Sequence, residues 1–507
     1  MDVTADDRST KALLARAAEE ATAFRESVGS ARHRPAISFG EAVARFSTTL
    51  PEDGLPAMAV IEDLMERASP GLASMVGPRF FGWVIGGSHP VGVAADWLVS
   101  AWGQNTASHA ATPSAAAVEV AVAAWLLELM DLPRESSVGF TTGATMAGFT
   151  CLAAARGDVL RRAGWDVEQK GLFGAPPVSV LVGADAHATI FAALQHLGFG
   201  QEHVQRIVTD EMGRIVPGNF ARALAECTGP VIAILQAGQI NTGAFDPAAE
   251  LIPAAHGRGA WVHVDGAFGL WARASPEQAH LAQGFEQADS WSMDGHKWLQ
   301  TPYDTGYAIT RHPDAHGRAM NILASYLPKT DENERNPSHY VPELSRRARG
   351  YPSWAMIRHL GRSGIAEMVR RHCRIARHMA ERLSSEDGIR VLNDVVLNQF
   401  IVRFGADRAS EAGDRLTKET IRQIQADGVC FVEGGDWRGH WVMRVSVISS
   451  ATTEHDAERS VAAMLEAWRT VRDRATLEID AVVPRCDKSE RDNAERAVPF
   501  NRSVLDC

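Results

Sequence analysis

Short apolar runs alternate with stretches of helical spacing in the middle of the chain. The strand-like runs lie at 178–182, 206–209, 231–236 and 261–264, and helical stretches between them lie at 188–197 and 221–227. Continuous apolar strands separated by amphipathic helices are typical of a parallel sheet that is covered on both faces. The pattern therefore predicts an α/β domain built on a mostly parallel sheet.

The pattern changes on both sides of this region. A polar helical stretch comes first, in which Ser38 precedes Glu41 by three residues and predicts a capping box at a helix start. An alanine-rich helical run at 112–132 follows, and Pro133 helps to end it. Beyond Pro352, helical stretches lie at 365–384 and 418–426, and each is followed by a strand-like stretch, at 395–404 and 441–447. This part of the chain indicates a smaller α+β domain.

These changes divide the chain into four units. We expect an N-terminal helical segment at 1–100 and a large domain at 101–352. A small C-terminal domain at 353–475 and a charged tail at 476–507 follow. The tail beyond about Leu477 is poor in apolar residues and contains Pro484 and Pro499, so we expect it to be extended or disordered.

Composition narrows the possible functions. The 507 residues have a formal net charge of −11, which argues against a nucleic-acid or anionic-membrane surface. The longest apolar stretch, 115–130, is interrupted by Glu119 and Glu128 and is too short to span a membrane. No signal peptide pattern precedes it, so we expect a cytoplasmic protein. The six cysteines form no C-x-x-C pair, which indicates reduced thiols and no cysteine metal site.

Lysine is scarce, and one lysine stands apart. Of the six lysines, only Lys297 sits in an apolar setting, between His296 and Trp298. Desolvation there would make it a workable nucleophile toward a carbonyl group. The same segment is equally consistent with a lysine whose side chain extends past its apolar neighbours to reach water.

A carboxylate and an imidazole follow two of the predicted strands. Asp265 ends the run 261–264, and His187 follows the run 178–182. Side chains at the carboxyl ends of parallel strands face the ligand crevice. Asp265 could hold a pyridine nitrogen protonated, and His187 could stack on a flat ring. Taken alone, the Asp is as often a helix cap, and the lone His more often has a structural role.

A glycine and threonines precede a predicted helix at 149–155. Gly143 allows backbone N–H groups to approach an anion closely, and the hydroxyls of Thr142 and Thr145 can donate hydrogen bonds to it. The positive end of the helix points to the same place. The segment is a candidate phosphate site, although glycine and threonine before a helix are also ordinary caps.

Together these elements resemble a known family. The segments His-Val-Asp-Gly-Ala-Phe at 263–268 and Asp-Gly-His-Lys-Trp-Leu at 294–299 are similar to those of the group II pyridoxal 5'-phosphate (PLP) dependent amino-acid decarboxylases, which include aromatic-amino-acid and glutamate decarboxylases. The resemblance runs from about residue 78 to 468. It implies the PLP-dependent transferase fold type I, with a seven-stranded, mostly parallel sheet in the large domain, and a homodimer.

The resemblance also implies roles for individual residues. It implies an internal aldimine on Lys297, an ion pair from Asp265 to the ring nitrogen and stacking by His187. Further implied cofactor contacts come from Gly143, Ala144, Thr145, Asn241, Thr242, Asp294 and His296. The sequence departs from the family at Asp294, where the aromatic-amino-acid decarboxylases have Asn, and a carboxylate near a phosphate would repel it unless protonated or paired.

The remaining candidates concern the substrate. The family has a mobile catalytic loop whose tyrosine returns a proton, and Tyr340 is the candidate here, ahead of His339. Trp83 and Val84 match a segment that lines the substrate pocket in relatives, and Arg444 could meet the substrate α-carboxylate. The plainer alternatives are a loop anchor for Tyr340, an interface aromatic for Trp83 and a structural brace for Arg444.

The expected reaction is decarboxylation of an L-amino acid to an amine and carbon dioxide. The alternatives within the same fold are an aminotransferase, another carbon–carbon lyase and an aldehyde-forming oxidative decarboxylase. A catalytically silent scaffold is a further alternative, which an intact Lys297 and Asp265 disfavour. No G-x-G-x-x-G follows an early strand, which argues against a nicotinamide dehydrogenase.

Overall fold

The N-terminal part of the chain is helical. The computed structural model describes residues 7–31, 33–321 and 335–482. Within them the chain begins with α1 (Asp7–Ser27), α2 (Phe39–Phe46), α3 (Ala57–Ala68) and α4 (Pro90–Trp102). The predicted capping box is confirmed at α2, where the Glu41 N–H donates to Ser38 Oγ at 3.3 Å and the Ser38 N–H donates to Glu41 Oε2 at 2.7 Å.

Strands and helices alternate in the middle of the chain. They are α5 (Pro113–Leu129), β1 (Ser137–Thr141), α6 (Ala144–Arg162), α7 (Val167–Lys170), β2 (Ser179–Gly183), α8 (Ala188–His196), β3 (Val204–Ile207), α9 (Pro217–Glu226), β4 (Val231–Gln236), α10 (Ala248–Gly257), β5 (Trp261–Asp265), β6 (Ser290–Asp294), β7 (Gly306–Thr310) and α11 (Pro313–Met320). Strand β3 begins two residues before the predicted run because its exposed Gln205 and Arg206 give no apolar signal.

In the described part of the chain, seven strands form one sheet in the order β1-β7-β6-β5-β4-β2-β3. Strand β7 runs antiparallel to β1 and β6, whereas the pairs from β6 through to β3 are parallel. The prediction of a mostly parallel seven-stranded sheet is confirmed. Gln236 lies opposite Asp265, and Asp265 lies opposite Ser292, so the carboxyl ends of β4, β5 and β6 are adjacent.

Helix α6 packs against β5, β6 and β7 through small side chains. Ala147 and Cys151 are fully buried against Ala308 of β7. These small residues allow the helix to lie close to the sheet. The central strands are buried at every position, which explains their continuous apolar pattern.

The C-terminal part forms a second, smaller layer of helices on a sheet. Its elements are α12 (Gly350–Ser384), β8 (Ile389–Val391), β9 (Gln399–Phe404), α13 (Ser410–Asp427), β10 (Glu433–Trp437), β11 (His440–Ser446) and α14 (Glu454–Val482). The described strands are antiparallel, in the order β10-β11-β9-β8. Phe404 and Trp468 are buried in a hydrophobic core between this sheet and the helices, in agreement with the α+β prediction.

Two boundaries differ from the sequence prediction. Helix α12 begins at Gly350 rather than at residue 365, and Gly361, with φ 62° and ψ 177°, breaks its helical geometry. Helix α14 continues to Val482, past the point where an extended tail was expected. Just before that point, Val471 and Ala475 pack on the core. Residues 483–507 lie outside the described residues. No described helix is both long and apolar enough to cross a membrane.

Candidate active site

A cavity of about 310 Å³ lies at the carboxyl ends of β4, β5 and β6. Its volume is at the lower end of the range of small-molecule pockets. The site residues predicted from the sequence that line it are Thr142, Gly143, Ala144, Thr145, His187, Asp265, Asp294, His296 and Lys297. The parallel sheet brings them together because each follows the carboxyl end of a strand or lies one turn beyond it.

Lys297 lies on the turn after β6, and its side chain is only 16% exposed. Its Nζ lies 2.9 Å from Oδ2 of Asp294 and 5.8 Å from the centre of the Phe268 ring. The apolar ring restricts water on one side, and the carboxylate holds the amine on the other. Such an amine is placed to bond to the carbonyl group of a ligand in the cavity.

The backbone of Lys297 is held from two directions. The side-chain amide of Gln300 donates to the Lys297 carbonyl at 2.8 Å and to the Ile448 carbonyl at 2.7 Å. On the other side, a Cβ on Gly86 would lie 2.1 Å from the His296 carbonyl oxygen, so only glycine allows this approach. Sequence reasoning missed both residues, since nothing in their local pattern signals these contacts.

Asp265 is the last residue of β5 and is 9% exposed. The Ala267 N–H donates to its Oδ1 at 3.2 Å. Burial raises the pKa of Asp265, and the charges of His187 and Lys297 oppose that rise. A cationic ring nitrogen beside Asp265 would act in the same direction as these charges and favour the ionised carboxylate.

His187 lies at the N-terminus of α8, where its Nδ1 accepts a hydrogen bond from the Thr189 N–H at 3.4 Å. Burial lowers the pKa of His187, and the charge of Lys297 lowers it further. The same Nδ1 lies 2.7 Å from the Thr189 hydroxyl oxygen, which holds the ring in place. A neutral imidazole in this wall of the cavity can lie against a flat ligand.

The third wall is the N-terminus of α6. Gly143 is pressed against the neighbouring β7, since a Cβ on Gly306 would lie 2.4 Å from the Gly143 Cα. The Ala144 N–H, the first of the helix, donates to Oδ1 of Asp294 at 2.6 Å. Thr145 also lines the cavity here. The free N–H groups of a helix start attract anions such as phosphate.

Asp294 is 3% exposed and contacts three donors. Its carboxylate accepts from Ala144 and Lys297, and its Oδ1 lies 3.4 Å from the Nε2 of His296. Burial opposes ionisation, but the charges of Lys297 and His296 and the hydrogen bonds outweigh it, so the pKa of Asp294 is lowered. The carboxylate therefore stays ionised at neutral pH.

The loop after β4 does not bring its predicted residues into the cavity. Thr242 is fully buried and donates to the Met212 carbonyl at 2.6 Å. Asn241 accepts from Nη1 of Arg444 at 3.4 Å. Ile240, which sequence reasoning missed, lines the cavity instead. The loop turns Thr242 inward because the side-chain oxygen of Gln239 accepts hydrogen bonds from the backbone N–H groups of both Asn241 and Thr242.

Arg444 lies on β11 beside this loop and is not among the residues that line the cavity. Burial lowers its pKa, and its charge in turn lowers the pKa of His187. Its Nε is buried and has no hydrogen-bond partner among the described residues. A buried guanidinium with an unused N–H is suited to bind a carboxylate.

Tyr340 is not among the residues that line the cavity. The guanidinium of Arg335 lies 4.3 Å from the centre of its ring, and His316 donates to its backbone carbonyl at 2.9 Å. These contacts anchor Tyr340 beside β1. The rest of the expected catalytic loop, at 322–334, lies outside the described residues.

Trp83 and Val84 also lie outside the cavity lining of a single chain. Both have left-handed backbone conformations, with φ 56° and 55°, which are unfavourable for residues with a Cβ. Trp83 packs on Phe431, with ring centres 5.2 Å apart. The next residue, Ile85, accepts a hydrogen bond at 2.6 Å from Tyr303, a cavity-lining residue that sequence reasoning missed.

The residues of the cavity fit a phosphorylated pyridine aldehyde. Lys297 can bond to an aldehyde, Asp265 can pair with a ring nitrogen, His187 can cover a ring face, and the start of α6 can hold a phosphate. These four functions come from four different strand ends that converge on one cavity. The donor set therefore fits PLP.

Comparisons with known proteins agree with this fit. Residues 40–404 match the model of the pyridoxal-dependent decarboxylase conserved domain. An aromatic-L-amino-acid decarboxylase of Bacillus atrophaeus is 25% identical over 421 residues, 81% of this chain and 85% of that protein. A 4-hydroxyphenylacetaldehyde synthase of Rhodiola rosea is 24% identical over 456 residues, 87% of this chain and 90% of that protein.

Solved structures share the fold. The crystal structure of Oryza sativa TDC with PLP and tryptamine has a TM-score of 0.86 and 22% identity, and the alignment covers 92% of this chain and 99% of that one. The likeness extends beyond the large domain, because it includes almost the whole of that chain.

Proposed function

The chain belongs to the pyridoxal-dependent decarboxylase family, and we infer that it is a PLP-dependent carboxy-lyase that converts an L-amino acid to its amine and carbon dioxide. The observation that carries this inference is the placement of Lys297 and Asp265 in one buried cavity at adjacent strand ends. PLP, when bound, supplies an electron sink for the pair of electrons that the departing carboxylate leaves behind.

The residues of the chain bind and orient the reactants. Lys297 holds the cofactor covalently, Asp265 keeps its ring nitrogen protonated, and His187 covers one ring face. The N-terminus of α6, with Gly143, Ala144 and Thr145, holds the phosphate together with His296. Supporting this assignment, these groups line the same cavity.

Arg444 is the proposed partner of the substrate α-carboxylate. Its unused, buried Nε and its place beside the loop 239–242 support this role. A fixed carboxylate orients the bond to be broken, and a closed cavity keeps water away from the reacting carbon.

Tyr340 remains the predicted donor of the returning proton. Because it does not line the cavity of its own chain, this role requires its segment to move or to serve the cavity of a second subunit. Trp83 and Val84 also lie outside the lining. They could contact the substrate only if their segment moves or serves the cavity of a second subunit.

We also propose a homodimer, which the apolar surface supports. Helices α2 and α3 have no buried residue, although both carry apolar side chains. Trp97 and Trp102 of α4 are 44% and 49% exposed, and Trp354 of α12 is 40% exposed. Exposed aromatic residues in such number are typical of an interface. Light scattering should give twice the chain mass, and a monomer would contradict the proposal.

The proposed substrate is an aromatic or apolar L-amino acid. Ile240, Phe268 and Tyr303 give the cavity apolar surface. The Bacillus atrophaeus relative is named for aromatic L-amino acids, which supports the same class. We propose that the enzyme works in the cytoplasm; the described cysteines are free and buried, in keeping with a reducing compartment.

The Rhodiola rosea relative favours one second candidate, an oxidative decarboxylation that yields an aldehyde. Incubation of the PLP-loaded enzyme with a panel of aromatic and acidic L-amino acids separates the two. Amine and carbon dioxide in equal amounts, without oxygen uptake, support the decarboxylase. Aldehyde, ammonia and hydrogen peroxide would replace it with the aldehyde synthase. If neither wild type nor Lys297→Ala shows a visible absorbance band after PLP is added, both the decarboxylase and the aldehyde synthase are rejected. That result would favour a scaffold.

A further inference from the structure

Asp294 contacts the two groups on which cofactor binding depends. One carboxylate oxygen accepts the first N–H of α6, from Ala144, at 2.6 Å, and the other lies 2.9 Å from the Nζ of Lys297. The carboxylate thus bridges the proposed phosphate site and the proposed carbonyl site.

The bridge leaves little room for a second anion in the same position. Gly143 is fitted closely between its neighbours, since a Cβ there would lie 3.1 Å from His296 Cε1 and 3.2 Å from Asp294 Oδ1. Asp294 is 3% exposed, so water screens its charge poorly. Two anions that approach the same backbone N–H repel each other, and one N–H makes only one strong hydrogen bond.

We propose that Asp294 competes with the phosphate group of PLP for the N-terminus of α6, and that this residue therefore sets how tightly the enzyme holds its cofactor. The proposal rests on the proposed function and deepens it, because it assigns to one residue the control of cofactor affinity. Asp294 acts as a positioning residue: it holds Lys297 in the cavity and yields the Ala144 N–H when a phosphate binds.

The aromatic-amino-acid decarboxylases, which the sequence resembles, have Asn at this position. Asn has nearly the same shape as Asp but no charge, and it can donate a hydrogen bond to a phosphate oxygen. Replacing Asp294 by Asn therefore removes a repulsion and adds a donor. An enzyme with Asp at this position should release PLP more readily than one with Asn.

The test is equilibrium binding to the full-length protein after removal of PLP, in wild type and Asp294→Asn. Three ligands separate the interactions. PLP carries both phosphate and aldehyde, pyridoxine 5'-phosphate carries the phosphate without an aldehyde, and pyridoxal carries the aldehyde without a phosphate. We expect D294N to bind both phosphorylated ligands about tenfold or more tightly, and to change pyridoxal binding by a much smaller factor.

Asp289→Asn is the matched control. Asp289 is also a buried carboxyl next to β6, and it accepts from His256 and His312, but it lies at the opposite end of the strand from the cavity. D289N should leave the affinity for all three ligands unchanged. If D294N does not fold, Asp294→Ser removes the same charge and carries the same test.

The outcomes are distinct. Equal affinities of wild type and D294N for the phosphorylated ligands, or weaker binding by D294N, would overturn the competition. A similar gain for pyridoxal as for PLP would also overturn it, because the effect would then pass through Lys297 alone. If wild type binds neither PLP nor pyridoxine 5'-phosphate, the proposed function itself fails, which is a separate result.

Discussion

A buried carboxylate lies at each end of β6, and the two ends differ in what they serve. Asp289, just before the strand, accepts from His256 and His312 at 3.0 Å each. Asp294, its last residue, lies 2.9 Å from the Nζ of Lys297 and 3.4 Å from His296. Both carboxyls are surrounded by basic groups, and both have lowered pKa values.

The difference between the two ends is their place in the sheet. The amino end of a parallel strand is covered by helices and turns, so the partners of Asp289 are permanent. The carboxyl end opens into the ligand crevice, so the partners of Asp294 are shared with whatever binds there. A perturbed pKa thus identifies a buried ion pair at either end, and only the topology tells which end is functional.

The largest expected effect is at the carboxyl end. Lys297→Ala removes both the amine that we propose binds the cofactor and the cation 2.9 Å from Asp294. We expect kcat to fall by about 10⁴-fold or more and the visible absorbance of bound PLP to disappear. Steady-state kinetics and absorbance spectra measure these changes. Activity within about tenfold of wild type would show that another group binds the cofactor.

At the amino end, Asp289→Asn should affect stability and leave the chemistry intact. Hydrogen bonds from both histidines and from the Val262 N–H outweigh the effect of burial and lower the pKa of Asp289 to about 2. Relative to a normal value near 3.8, this shift corresponds to about 2 kcal/mol, which D289N should lose from the free energy of unfolding. Urea denaturation measures the loss, and an unchanged KM shows that the cavity is unaffected.

The same carboxyl predicts a pH dependence. Because folding lowers the pKa of Asp289, its contribution is fully present above about pH 4 and disappears as the pH falls toward about 2. The stability difference between wild type and D289N should therefore shrink as the pH falls from about 4 to about 2. A difference that grows over this range would contradict this assignment.

The smallest effect is expected at the rim of the amino end. His312 is 46% exposed as a side chain, so solvent screens its contact with Asp289. His312→Gln should lower the free energy of unfolding by less than about 1 kcal/mol. His256→Gln, at 37% exposure, is the matched variant. A loss above about 2 kcal/mol from either substitution would mean that the histidine, rather than the strand, holds the carboxylate.

Local patterns identified much of the site. Lys297 stood out because lysines are rare in the chain, and Asp265 and His187 because each follows an apolar run. In a parallel sheet such positions converge, so the cavity follows from the order of strands and helices. Residues that act through distant contacts left no such pattern. Gln300 joins Lys297 to Ile448, which lies 148 residues after Gln300.

Some of the loop residues predicted to contact the cofactor or the substrate do not line the cavity of a single chain. Asn241 and Thr242 follow the cavity residue Ile240, yet Thr242 donates to Met212 because the Gln239 side chain fixes the turn. Tyr340 is tied to Arg335 and His316, away from the cavity of its chain. Loop side chains depend on a few specific hydrogen bonds, which a local pattern does not encode.

The amino-acid sequence by itself determined the α/β architecture and singled out the lysine and the strand-end acid that line the cavity, because periodicity and the rarity of a residue type are local properties. Only the tertiary structure decided that Asp294 bridges Lys297 and the start of α6. That contact joins residues 150 positions apart, and its energy depends on burial and on the distance between charges, which exist only once the sheet has formed.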